Sequence, residues 1–503
     1  MAPAVDHDCV LVAVVEEQQR KLDALLALAE RQQRELDQLK KALIGPKSER
    51  AKTKKMMSPE KALGTTTSTP EAAQARRQER AAAKKLLDSV TVNHPVPDDQ
   101  RACPQCGNEK LDPLGEGRVT EVIEYVAKVI RVRHVQEVLR CRCNGHIVTA
   151  PGAPKVVEQG HYGASFMAHL VVAKCVDHQP IYRLEKAFER LHIPMKRSTM
   201  NELFHRAAEL TAPIATRLLE TIAARPFVQA DETRLRVLDD GTGKAKNAFI
   251  WTFVAPDLKG LLDIGYRFAL DRRDVTPKEV LGGTKGFLLV DGYSGYNAVI
   301  DVDGRTRAAC HAHLRRYFHE ALPTAPKAQE AIDLILELYR VEHEAKAQGI
   351  VGSDSRKRSG EKRGPHFGLR KTRAGPARDR LKAWLDDNLD RHPPKSPIGI
   401  GIRYGLKQWE ALGRFLDDVR VPLDNNASER ALRRVALGRK NYLFVGNETA
   451  GANVAGLYAL AATCEARGIN PMEYFTDIIG RVGDHPVSRL DELLPGAWAE
   501  AQG

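Results

Sequence analysis

The sequence predicts a multidomain α+β protein, with a strand-rich block set between helical segments and preceded by a coiled coil and a small cysteine module. Three observations predict it. Apolar residues recur in sevens near the N-terminus. Two close cysteine pairs bracket a Val- and Ile-rich stretch. From Pro226 onward the pattern changes from helical to strand-like. The chain has 503 residues, too many for one core. Its formal net charge of +12 favours a polyanionic partner, because phosphate neutralisation by Lys and Arg releases counterions.

Residues 1–44 read as a coiled-coil oligomerisation helix. Val15, Leu22, Ala29, Leu36 and Leu43 fall at one core position, and Leu11, Leu25 and Leu39 at the other, shared with Gln18 and Gln32. The remaining faces are polar, so the seam implies association with another copy. Residues 45–95 are rich in Lys, Arg, Ala, Ser and Thr and read as a basic linker. The N-terminus lacks the cationic start of a signal peptide, and no run approaches ~18 apolar residues. The expected compartment is the cytoplasm, with no membrane partner. Eight cysteines in such a chain argue for metal binding over disulfides.

Residues 96–152 read as a zinc-binding, zinc-ribbon-like module. Cys103 and Cys106, with Gly107 behind them, let two thiolates meet one tetrahedral ion; Cys141 and Cys143 complete four sulfur ligands, with His146 an alternative for one of them. The stretch from Val119 to Cys141 alternates like strands. Residues 153–222 read as a helical, helix-turn-helix-like segment. Ile181, Leu184, Phe188 and Leu191 line one helix face, Thr199 and Glu202 suggest a capping box for the next helix, and Lys196 and Arg197 stand at its entry as candidate DNA contacts.

Residues 223–450 carry the chemistry. Strands are expected over PFVQADETRLRVLD, NAFIWTFVAP, LDIGYRFALD and GFLLVDGYSGY, with a helical insertion at about 320–420 and a helical C-terminal element over 451–503. Asp231 shares a strand face with Phe227, Gln229, Thr233 and Leu235, while Glu232 points the other way. Asp291 ends the apolar run Phe287–Val290. A carboxylate at the end of a buried strand is costly unless paired or bound to a cation. Two such strand carboxylates are what an RNase H-like α/β sheet uses to hold divalent metal. A third acid is expected from VPLDNNASERALRRVALGRKNYLFVGN. Asp424 or Asn425 can cap this helix, and Glu429 lies in its first turns with Arg433 one turn on. Asp424 is the competitor for the third role. Arg315, Arg316, Arg430, Arg433, Arg434, Arg439 and Lys440 are candidate phosphate contacts, and His313 a candidate to orient a phosphate or water.

Together these motifs resemble the transposases of the insertion-sequence-66 family. ADET at 230–233 resembles that family's first-aspartate strand, VDGYSGY at 290–296 its second-aspartate segment, and DNNASERALRRVALGRKNYLFVG at 424–446 its glutamate segment. AHLRRYF at 312–318, GPKSER at 45–50, PPKSPIGIGIRYGLKQWEALGRFL and GINPMEYF are similar too; VDHQPIYR at 176–183 departs at Gln179, where Leu is commoner. The resemblance implies a DDE transposase that binds its element ends and catalyses DNA strand cleavage and transfer. It implies Mg²⁺ or Mn²⁺ held by Asp231, Asp291 and Glu429, alongside structural Zn²⁺. The implied partners are double-stranded DNA (terminal repeats and target), another copy of the chain, and accessory proteins of the same element. The implied setting is the bacterial cytoplasm, at the nucleoid when DNA-bound. The competing expectation is an inactive or domesticated DNA-binding protein.

Overall fold

The computed structural model describes residues 160–502 except 239–241, 258, 301–303 and 353–363, together with 129–134, 138–140, 147–149 and positions 74, 78 and 156. The expected coiled coil, the linker apart from Gln74 and Gln78, and the four paired cysteines therefore lie outside the described residues. The chain divides into Met1–Glu124 and Tyr125–Gly503; the second unit is described below.

Among the described residues the first strands of that unit, β1 (Val138–Arg140) and β2 (Ile147–Thr149), pair antiparallel on either side of residues 141–146. The strand expected across Val129–His134 does not form: those residues are irregular, and Val129, Ile130 and Val132 are exposed. Three helices follow, α1 (Ala164–Cys175), α2 (Ile181–Arg190) and α3 (Arg197–Ala223). Ile181, Leu184 and Phe188 are buried as the spacing predicts, whereas Leu191 lies past the helix end, 49 % exposed. The expected Thr199/Glu202 capping box is absent. Helix α3 begins earlier, at Arg197, because Glu185 of α2 accepts the Arg197 backbone N–H at 2.9 Å.

The centre is a five-stranded sheet. It comprises β3 (Phe227–Leu238), β4 (Ala245–Pro256), β5 (Leu262–Ala269), β6 (Gly286–Val290, reached through the short helix α4, Val275–Leu281) and β7 (Arg305–Ala309), in the order β5-β4-β3-β6-β7. Strands β3, β4 and β5 form an antiparallel meander, and β6 and β7 run parallel to β3. Alternation along the parallel strands separates two cores. Val228, Leu288 and Val290 join the core that contains Leu218 and Ile222 of α3. Phe227, Leu289 and Ala308 join one with Leu338, Val341, Phe415 and Val421.

After β7 the chain leaves the sheet through α5 (His311–Ala321), α6 (Ala328–Ala347), α7 (Gly375–Leu389) and α8 (Pro397–Lys407), and returns as α9 (Asn426–Tyr442). Helices α10 (Glu448–Ala466), α11 (Pro471–Arg481) and α12 (Pro495–Gln502) close the chain. Asn470 caps α11 through the Met472 N–H, as Asn-Pro predicts. Exit and return meet: Leu423 O accepts the His311 backbone N–H at 2.9 Å and contacts His311 Nδ1 at 3.0 Å. No described helix is long and apolar enough to cross a membrane.

His311 makes this junction pH-sensitive. The ring is buried, and burial pushes its pKa from 6.5 down to about 4. A carbonyl only accepts, so Nδ1 carries the proton of the neutral ring. Below pH 6.5 the unfolded chain takes up a proton that the folded ring refuses. The neutral ring's contribution is therefore complete above pH 6.5 and is lost as pH falls towards 4, by on the order of 3 kcal/mol at most. Urea unfolding of wild type and His311→Gln should show a stability difference that shrinks across this window. A constant difference would refute the assignment.

Candidate functional site

The parallel register between β3 and β6 sets the site. Phe227 pairs with Phe287, Val228 with Leu288 and Gln229 with Leu289. Two residues beyond the last of these pairs, Asp231 continues β3 and Asp291 stands just past the end of β6, so both lie at the same end of the sheet. Each has the parity of the Phe227/Leu289 face. On the far side of Asp231 its partner across β4 is Thr252.

Glu429 reaches the same region because the end of the insertion is tied to β3. Asn425, fully buried, donates Nδ2–H to the Ala230 carbonyl at 2.9 Å, one residue before Asp231. Its backbone N–H meets Cys310 Sγ at 3.3 Å. Asp424 accepts the Asn426 N–H at 3.1 Å, so it shapes the turn into α9, whereas Asn425 makes no side-chain cap and turns inward. Glu429 follows in the first turn of α9, a position favoured for an acid by the helix dipole.

Electrostatics tie these groups together. Burial pushes the Asp231 carboxyl up to about 7, helped by the negative charges of Glu232, Asp291 and Glu429 and opposed by the Glu232 N–H that it accepts at 2.8 Å. Glu232 lies on the opposite face, as alternation predicts. It takes Tyr296 Oη–H and Arg272 Nε–H, each at 2.6 Å. Asp291 accepts the Tyr293 N–H at 2.8 Å, and Arg307 holds the Asp291 carbonyl at 2.7 Å. Glu429 is held by Arg316 at 3.3 Å and faces His313 Nε2 at 3.7 Å. Burial lowers the His313 pKa, with Arg316 adding to the shift, while His313 Nδ1 is buried without a partner. Among the described residues, no three His, Cys, Asp or Glu side chains close on one point that a metal ion could occupy.

The candidate cations divide into two sets. Arg315, Arg316, Arg430, Arg433, Lys440, Lys196 and Arg197 are exposed. Arg434 donates to the Cys175 carbonyl at 2.7 Å and pairs with Glu465, and Arg439 donates to Thr233 Oγ1 at 3.0 Å and the Arg234 carbonyl at 2.7 Å. These two fasten α9 to the fold. The cation on Glu429 is Arg316, from α5, and not the neighbouring Arg433 that helical spacing suggested. Sequence reasoning missed Asn425 as the tie to β3, and no local pattern announces it. It also missed Tyr404 of α8, which packs so close to Gly292 that a Cβ there would lie 2.9 Å from its ring.

Comparison with known proteins fits this architecture. The model of the transposase IS66 family matches residues 159–453, its C-terminal element matches 459–495, and the zinc-finger binding domain of transposase IS66 matches 100–144. That last span contains Cys103, Cys106, Cys141 and Cys143 and ends before His146. Two curated relatives from Sinorhizobium fredii bear the names uncharacterized protein y4jD and uncharacterized protein y4hP. The first is 30% identical, over 80% of this chain and 79% of its own length; the second is 29% identical, over 92% and 88%. The first family match spans more than half of the chain, across the whole sheet, the insertion and α9. The chain belongs to the IS66 family of transposases.

Proposed function

We propose that this protein is a DDE transposase that cuts DNA at the ends of its element and joins the freed ends to target DNA, with divalent metal held by Asp231, Asp291 and Glu429. The observation that carries the reading is that the parallel β3–β6 pairing brings Asp231 and Asp291 to one end of the sheet, where the Asp291 charge bears on Asp231. The strand order supports an RNase H-like fold: a three-stranded antiparallel meander whose first strand is flanked by two further parallel strands.

The donor set fits a hard cation. All three groups offer oxygen, and the Asp231 carboxyl is held near 7 by burial and by surrounding negative charge, a balance that a cation would reverse. When bound, Mg²⁺ or Mn²⁺ supplies activation of the attacking oxygen and neutralises the leaving one. The chain's own groups do the rest. Asp231 must lose its proton to become a ligand. Glu429 must exchange its contact with Arg316 for the cation, which frees Arg316 to meet a DNA phosphate. Arg307 and the Tyr293 N–H hold the Asp291 backbone and carboxylate in position. In-line displacement needs only water, and then the new 3′-hydroxyl, as nucleophile, so no side chain forms a covalent link. The cysteines Cys103, Cys106, Cys141 and Cys143 would bind one structural zinc, as the family zinc-finger match supports. The exposed Arg and Lys residues and the basic linker would grip the backbone of duplex DNA. Pairing of two ends fits self-association through residues 1–44.

Three outcomes follow from this reading. Strand transfer from a supercoiled donor carrying the element ends should fall at least ~1000-fold in Asp291→Asn while end binding persists. Wild type that binds ends yet gives no product with Mg²⁺ or Mn²⁺ would instead favour a DNA-binding protein without chemistry.

The Asp231 shift has a definite sign. Its folded pKa lies above its unfolded value, so the metal-free protein loses stability as pH rises from about 4 towards 7. Asp231→Asn should therefore raise the melting temperature of the metal-free chain at pH 8 by a few degrees and leave it nearly unchanged at pH 4. A lower melting temperature for the variant at pH 8 would contradict the burial argument.

Elemental analysis should find one zinc per chain, lost in the Cys103→Ser/Cys106→Ser variant. Full retention of zinc in that variant would remove these two residues from the ligand set.

A further inference from the structure

The C-terminal end of α9 carries a strained, exposed apolar pair. Leu443 has φ 62° and ψ −43°, and the Phe444 N–H donates to the Tyr442 carbonyl at 2.7 Å. This is a classical γ-turn, a strained form for a bulky side chain. The surroundings hold it there. Leu443 N–H closes the helix on Arg439 O at 3.1 Å. One residue beyond Phe444, Val445 is buried and pairs with the end of β3, through Val445 N–H to Arg236 O and Leu238 N–H to Val445 O, both 2.9 Å. Anchored on both sides, the turn presents Leu443 at 66 % and Phe444 at 42 % exposure.

The adjoining surface is cationic. Arg430, Arg433, Leu437 and Lys440 follow at helical spacing along α9 and are all exposed, a single stripe that starts beside Glu429 and runs towards the turn. A fold that keeps a leucine strained in water beside a row of cations is suited to a polyanion with an apolar interior.

We infer that Leu443 and Phe444 form a wedge that enters a base step of the DNA end while the α9 stripe tracks the phosphate backbone. The inference rests on the DNA-transposition reading above and extends it. Apolar side chains inserted between base pairs unstack them and kink the duplex, at a cost offset by backbone contacts. The chain advances fourteen residues from Glu429 to Leu443, about 21 Å of helical rise, or about six base pairs along a duplex lying beside the helix. The unstacked step is therefore expected about six pairs from the bond to be cut.

The test uses the full chain carrying Asp291→Asn, so that the DNA stays intact, and a 60-base-pair duplex ending in the element's terminal repeat. Single 2-aminopurine substitutions cover the terminal ten pairs. One position should brighten about fivefold on binding, as expected of local unstacking. Adding Leu443→Gly should abolish that rise while leaving the salt dependence of binding unchanged. Glycine accepts the positive φ, so this variant should melt at or above the parent temperature, which separates loss of the wedge from loss of the fold. Phe444→Ala should weaken the rise as well.

Binding without any rise, or a rise that survives both substitutions, overturns the wedge alone. A change of oligomeric state in sedimentation on Leu443→Gly, with the fluorescence unaltered, would make the pair a protein contact and also overturn it. Failure to bind the duplex at all would overturn the transposition reading together with the wedge.

Discussion

Two acids carried to the same end of neighbouring parallel strands are the constraint around which the rest of this site is organised. The β3–β6 register brings Asp231, on β3, and Asp291, just past β6, to one end of the sheet, where both are half-buried. Like charges repel more strongly where water is scarce. The surrounding groups answer that repulsion locally. Asp291 is stabilised by a backbone N–H, Glu232 is turned to the other face and matched by Arg272 and Tyr296, and Glu429 is matched by Arg316. Asp231 accepts the Glu232 N–H, yet burial and its acidic neighbours still raise its affinity for a proton. The negative charges around Asp231 leave a repulsion that one more positive charge would ease.

Much of this was legible from residue order, and the exceptions have physical causes. The long strands were visible because alternation and β-branched residues mark them, and the apolar run Phe287–Val290 marked Asp291. Strand β7 was not visible. Its sequence Arg-Thr-Arg-Ala-Ala looks like a surface segment, yet Arg305 is fully buried, with its guanidinium donating to Thr284 Oγ1 and to the carbonyls of Phe287, Ala223 and Arg225. A buried arginine that satisfies carbonyls leaves no trace in a hydropathy pattern.

The same limit applies around Glu429. Helical spacing finds neighbours such as Arg433, but the cation that meets Glu429 lies 113 residues away in the chain. Clustering near the acids likewise makes Arg434 and Arg439 candidate phosphate contacts, whereas both are engaged within the fold. The helix start at Arg197 was missed for a related reason, since its acceptor, Glu185, belongs to the preceding helix. Local chemistry was read well. Partners assembled by the tertiary structure were not.

The junction between the sheet and the insertion has a consequence for how such a chain can change. Cys310 and His311 on the way out touch Asn425 and Leu423 on the way back, so everything between is a detour whose two ends nearly coincide. The entropy of closing a detour grows only with the logarithm of its length; doubling it costs roughly 0.6 kcal/mol. Lengthening, shortening or remodelling the far parts of these helices therefore places little demand on the β3–Asn425 tie or on the start of α9. Evolution can treat the insertion as an interchangeable attachment, free to acquire new shapes and surfaces while the acids at its base keep their positions.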